Sequence, residues 1–124
     1  MNHYDPVTEA ELALLEFLWR EGPSTKREMA DALYAASQDS AIATVQKLLE
    51  RLETKGYVAR DRSAMAHVFA ATMPKSEFVG LQLEAVADKL TGGSLAPLVM
   101  RLVEGRRLTR QERAKLRDLL DEDA

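Results

Sequence analysis

The side chains of this sequence best placed to do chemistry are basic and hydrogen-bonding rather than nucleophilic, and they concentrate between Ser40 and Arg62. With Val45 at the centre of a buried helical face, Ser40, Ala43, Lys47, Glu50 and Arg51 point away from it, and Thr44 and Gln46 lie on the flanks. Small residues let a helix backbone approach DNA bases. Thr44 can donate to a phosphate or pack its methyl on a thymine, Gln46 can pair with adenine, and Lys47 can pair with guanine or a phosphate. Lys55 adds a further cation at the end of the same stretch. Arg60 and Arg62 stand on one face of a strand by alternation, where they suit a phosphate or a narrow minor groove. The bland alternatives stand beside these readings: any amphipathic helix turns a polar face to water, and a strand surface can simply be charged.

Enzymatic chemistry has little to draw on. The chain holds two histidines, His3 and His67, and no cysteine, and it shows no glycine-rich phosphate loop and no metal-ligand spacing. Asp118, Asp121, Glu122 and Asp123 read as a solvated acidic end. No enzyme activity, cofactor or metal is expected.

The elements that must position the basic segment follow from periodicity. Thr8 and Glu11 form a T-x-x-E capping box, opening a helix over 8–21 with Leu12, Leu15, Leu18 and Trp19 on one arc. Gly22-Pro23 ends it. A second box, Thr25 to Glu28, opens a short helix with Met29, Ala32 and Leu33 inward. Residues 35–39 read as a turn. Ser40 reads as the N-cap of a third helix over 41–55, whose stripe is Ile42, Val45, Leu48, Leu49 and Leu52. Gly56 sits at its C-cap position. The period then changes, and 57–62 with 66–72 predict a β-hairpin. Three helices followed by a hairpin is the winged helix-turn-helix order, in which the third helix enters the major groove.

Pro74 marks a boundary, giving a DNA-binding domain over 1–73 and a helical region over 74–124. A helix over 76–90 carries Val79, Leu83, Val86 and Leu90. After Thr91-Gly92-Gly93, with Ser94 as cap, a short helix carries Leu95, Leu98, Val99, Leu102 and Val103 and ends at Gly105. Pro97 is tolerable in its first turn. A third box, Thr109 to Glu112, opens a last helix with Leu116, Leu119 and Leu120 inward. A tail of this size buries too little surface alone. Its stripes suit a two-fold helical interface, or they fold back on the first domain. The expected fold class is mainly α with a small β-hairpin wing.

The 124 residues are 46% hydrophobic and 30% charged, which fits a globular and mostly helical chain. No run of about 18 apolar residues predicts a membrane span, and the N-terminus lacks the regions of a signal peptide. With no cysteine, a reducing cytoplasmic setting is expected. The net charge of −3 argues against indiscriminate nucleic-acid binding, but charge is segregated. Residues 5–21 carry Asp5, Glu9, Glu11, Glu16 and Glu21 against Arg20, whereas 43–62 carry Lys47, Arg51, Lys55, Arg60 and Arg62 against Glu50, Glu53 and Asp61. The local field decides what can approach one face.

Over nearly its whole length the chain resembles the penicillinase-repressor family, the BlaI/MecI/CopY-type winged-helix regulators. The opening Thr8-Glu9-Ala10-Glu11-Leu12 through Phe17-Leu18-Trp19 carries the likeness. So does the T-V-x-x-L-L-x-R-L-x-x-K-G pattern from Thr44 to Gly56, as do Gly92-Gly93-Ser94 and Leu108-Thr109 in the tail. The resemblance implies a homodimeric transcriptional repressor on a palindromic operator. It implies DNA contacts from Ser40, Ala43, Thr44, Gln46 and Lys47, with Arg60 and Arg62 on the wing. Family members often have more basic side chains near Ala43 and Gln46. The cysteine cluster of copper-responsive members is absent here. The asparagine–phenylalanine cleavage position of β-lactam-responsive members reads Arg101-Leu102. A protease or small-molecule effector is left unnamed by the residues. The competing expectation is a winged-helix protein-interaction module without specific DNA binding.

Overall fold

A computed structural model describes residues 5–34 and 39–122 of the chain. The order is α1 (Glu9–Glu21), β1 (Ser24–Thr25), α2 (Lys26–Leu33), α3 (Asp39–Lys55), β2 (Val58–Asp61), β3 (Val68–Ala71), α4 (Lys75–Leu90), α5 (Ala96–Glu104) and α6 (Arg110–Asp121). The chain divides into two compact units between Gln82 and Leu83.

In the first unit each predicted capping box is formed. The Thr8 hydroxyl accepts from the Glu11 N–H at 3.2 Å, and the Glu11 carboxylate accepts from the Thr8 N–H at 2.8 Å. Thr25 and Glu28 repeat the exchange at the start of α2. These boxes satisfy helix-end donors that would otherwise lack partners. Leu14, Leu15, Phe17 and Leu18 of α1 pack with Met29 and Ala30 of α2 and with Val45, Leu48, Leu49 and Leu52 of α3. Ala30 is thus the buried alanine of α2, and Ala32, expected inward, is exposed.

The turn from α3 into the wing is built on Gly56, at φ 87°. Tyr57 N–H reaches back to the Leu52 carbonyl at 3.0 Å, and Gly56 N–H to that of Glu53 at 3.1 Å. This closed C-terminal turn needs a left-handed residue, a role glycine fills without a Cβ penalty. It delivers Tyr57 and Val58 into the core.

The hairpin is shorter than the periodicity suggested, and the sheet has a third strand. The strand order is β1-β3-β2, all antiparallel, with Val58 opposite Ala71, Asp61 opposite Val68 and Ser24 opposite Phe69. Two residues carry no periodicity, so β1 left no trace in the pattern. Its pairing ties the start of α2 to the wing. Two caps also differ from expectation. Helix α3 begins at Asp39, so Ser40 lies within its first turn, and the expected turn is helical at its last position. The remainder of that turn, 35–38, lies outside the described residues, as does His3. Helix α5 is capped at Leu95 rather than Ser94, with Pro97 in its first turn.

The start of α4 belongs to the first unit. Phe78 is buried, with its ring 5.3 Å from Trp19 and 5.0 Å from Tyr57. Trp19 donates its indole N–H to the Met73 carbonyl at 2.9 Å. Gln82 donates to the Tyr57 hydroxyl and to the Asp5 carbonyl.

In the second unit α4 ends in a turn where Thr91 and Gly93 N–H groups both return to the Ala87 carbonyl. The third capping box, Thr109 with Glu112, opens α6. Arg113 donates to the Val103 carbonyl at 3.2 Å, linking α6 to α5.

Candidate nucleic-acid interface

Helix α3 has two chemically distinct sides. Val45, Leu48, Leu49 and Leu52 are buried, whereas Ser40, Ala43, Thr44, Gln46, Lys47, Glu50 and Arg51 are all exposed. The exposed set recurs at helical spacing, so one stripe runs the length of the element. Core packing on one side leaves the other free to meet a partner without disturbing the fold.

Hydrogen bonding from this stripe runs along α3 and across to α2. The Thr44 hydroxyl donates to the Ser40 carbonyl at 3.0 Å. Gln46 donates to the Glu50 carboxylate at 3.3 Å and accepts from the Lys26 ammonium at 2.9 Å. Gln46 therefore has both ends of its amide engaged by neighbours. Lys47, Glu50, Arg51, Thr54 and Lys55 line a shallow depression on the same helix, together with Asp5.

Two of the expected basic residues are held inside the fold. The Lys55 ammonium lies 2.9 Å from a Glu11 carboxylate oxygen and also donates to the Pro6 carbonyl. Glu11 is fully buried. Burial pushes the Glu11 carboxyl up, but the Thr8 N–H and Lys55 outweigh it and hold its pKa below the usual range. Arg60 pairs with Glu53 at 3.0 Å and lies over the Phe69 ring at 4.9 Å. Its Nε–H is buried without an acceptor. The structure thus spreads the candidate residues over two tasks. Lys55 and Arg60 clamp α3 to α1 and to the sheet, while Lys47, Arg51 and Arg62 stand exposed.

The wing turn holds a further feature. Asp61 accepts from the Ser63 N–H at 2.9 Å, which holds its carboxyl below the usual range. At the tip Met65 is fully exposed. Lys26, at the start of α2, also belongs to this surface through its bond to Gln46, and Arg27 lines a cleft with it. Neither Lys26 nor Arg27 stands out in the sequence as a contact residue. Their only signal was a position just after the cap Thr25, and β1, which draws that cap toward the wing, was not legible.

The tail residues expected at a dimer interface are largely uncovered. Val79, Leu83, Val86, Leu90, Leu95, Val99, Leu102, Leu119 and Leu120 are exposed, and Leu98 and Leu116 are half-buried. Leu90 and Leu120 keep 68% and 67% of their surface, far more than a residue serving as core would keep. Met100 joins them at 60%.

Among the described residues no group of three acidic, histidine or cysteine side chains could hold a metal, and no helix is long and apolar enough to cross a membrane.

Comparison with known proteins gives a consistent result. The model of the penicillinase repressor family matches residues 7–122. A transcriptional regulator BlaI of Mycobacterium tuberculosis is 35% identical over 98 residues, covering 77% of this chain and 70% of that protein. A penicillinase repressor of Bacillus licheniformis is 22% identical over 122 residues, covering 98% of this chain and 94% of its own. With a winged-helix unit in place and the match running through the tail, this chain belongs to the penicillinase repressor family of transcriptional regulators.

Proposed function

We propose that this protein is a homodimer that binds a palindromic operator in duplex DNA and blocks transcription. The observation that carries the reading is the division of α3. Its apolar side is the centre of the core, and its other side, Ser40 to Arg51, is exposed along its length. Lys47, Arg51 and Arg62 supply salt-dependent phosphate contacts, and Ala43, Thr44 and Gln46 meet base edges. The uncovered tail leucines and valines supply the two-fold contact. Paired half-sites then lie one helical turn, about 34 Å, or a multiple of it apart. On this reading the protein is not an enzyme and works in the cytoplasm, where its DNA is.

The test is selection of duplexes from a random-sequence library, followed by mobility shift at low and moderate salt. The expected result is enrichment of an inverted repeat bound far above a scrambled duplex. Lys47→Ala weakens binding to both duplexes and flattens the salt slope. Gln46→Ala instead relaxes preference at one base pair per half-site, at a cost of about 1–3 kcal/mol. Binding that never exceeds the scrambled level would overturn the reading. It would favour a winged-helix interaction module, to which the net charge of −3 is better suited.

A further inference from the structure

Between the start of α2 and the wing lies a cleft of about 400 Å³ with Lys26, Arg27, Gln46, Arg60 and His67 in its wall and Phe69 behind them. Among the described residues no carboxylate lines it. The Arg60 guanidinium is already held by Glu53 and Phe69, and its buried Nε–H has no acceptor. Lys26 is different. Its ammonium has one described acceptor, the neutral amide oxygen of Gln46 at 2.9 Å. An ammonium has three donors, and a charged phosphate oxygen is a stronger acceptor than an amide.

We propose that this cleft takes one phosphodiester of the DNA backbone, with Lys26 as its principal contact, and that Lys26 is a positioning residue for Gln46. The proposal rests on the DNA-binding reading above. Without DNA, Lys26 and Glu50 hold the two ends of the Gln46 amide. When a phosphate enters the cleft, the Lys26 ammonium turns to it and frees the Gln46 oxygen. The amide is then available to an adenine edge, which needs both its donor and its acceptor. Backbone capture and base reading become one coupled event, and Gln46 is released only where a phosphate is in register.

The experiment measures affinity against salt for the duplex selected by the parent protein and for a scrambled duplex. It compares the parent, Lys26→Ala, Lys26→Arg, Gln46→Ala and the Lys26→Ala/Gln46→Ala double variant. Lys26→Ala should lower the slope of log K against log salt by about 0.9 on both duplexes, the loss of one phosphate contact. Lys26→Arg should restore that slope. Lys26→Ala should also reduce the preference for the selected duplex several-fold, and the double variant should lose no more preference than Gln46→Ala alone. An unchanged slope overturns the phosphate site, and strictly additive losses of preference overturn the coupling. Calorimetric binding of inorganic phosphate at micromolar affinity without DNA, abolished by Lys26→Ala, would assign the cleft to a free oxyanion and overturn the backbone assignment. A parent protein that selects no duplex defeats the DNA-binding reading itself. A parent that selects one while Lys26→Ala matches its slope defeats this proposal alone.

Discussion

The Glu11 carboxylate does three things at once: it closes the α1 capping box, pairs with Lys55 and sits fully buried. A buried charge is tolerated only when its partners are in place, and removing one member of such a pair costs about 3–5 kcal/mol. Glu11→Ala should lower the unfolding free energy by about 3 kcal/mol in urea titrations. A loss within the range of an ordinary exposed pair, under about 1 kcal/mol, would contradict this role. The pH dependence has a definite sign. Because the folded pKa of Glu11 is depressed, its contribution is complete above the unfolded value, about 4.3. It is lost as pH falls through the lower folded value. The parent should therefore lose stability below about pH 4 more steeply than Glu11→Gln. The sequence showed Glu11 as a capping residue and Lys55 as a surface cation. Their meeting across 44 positions is a tertiary fact that no local pattern encodes.

Helices α1, α2 and α6 were legible because each announces itself twice, by a capping box and by an apolar stripe. All three capping boxes formed where the spacing put them. The stripe of α3, centred on Val45, also indicated which polar residues face outward together, and those residues are exposed. Leu49→Ala, at a fully buried position on that stripe, should cost about 2–5 kcal/mol by equilibrium denaturation. The exposed Ala43→Ser, two turns earlier, should cost less than about 0.5 kcal/mol. Where the reading fell short, the physical reason is length. Strand β1 has two residues and is made by its pairing with β3 rather than by its own side chains. The start of α3 was placed two residues late because Ser40, a good cap by type, competes with an Asp39 that serves equally well in a first helical turn. Without β1 in the pattern the second half of the candidate interface stays hidden, since that strand ties the residues just before Lys26 to the wing.

At the scale of the whole molecule, the chain combines an acidic total with a basic strip, and an N-terminal unit rich in buried side chains with a tail many of whose large apolar residues stay uncovered. Such exposure is costly in a lone chain and ordinary in a subunit. On the homodimer proposed above, Leu83→Glu together with Leu120→Glu should shift the sedimenting species to a single chain while leaving the far-ultraviolet dichroism of the helices in place. Retention of a dimer by that variant would exclude these residues as the contact. The sole tryptophan gives such experiments an internal gauge. The Trp19 indole is partly sheltered, bonded to the Met73 carbonyl and tilted against the Phe78 ring, so its fluorescence depends on the start of α4 lying against α1. Unlabelled protein should report detachment of that segment by a red-shifted emission, whether or not the rest of the chain has melted.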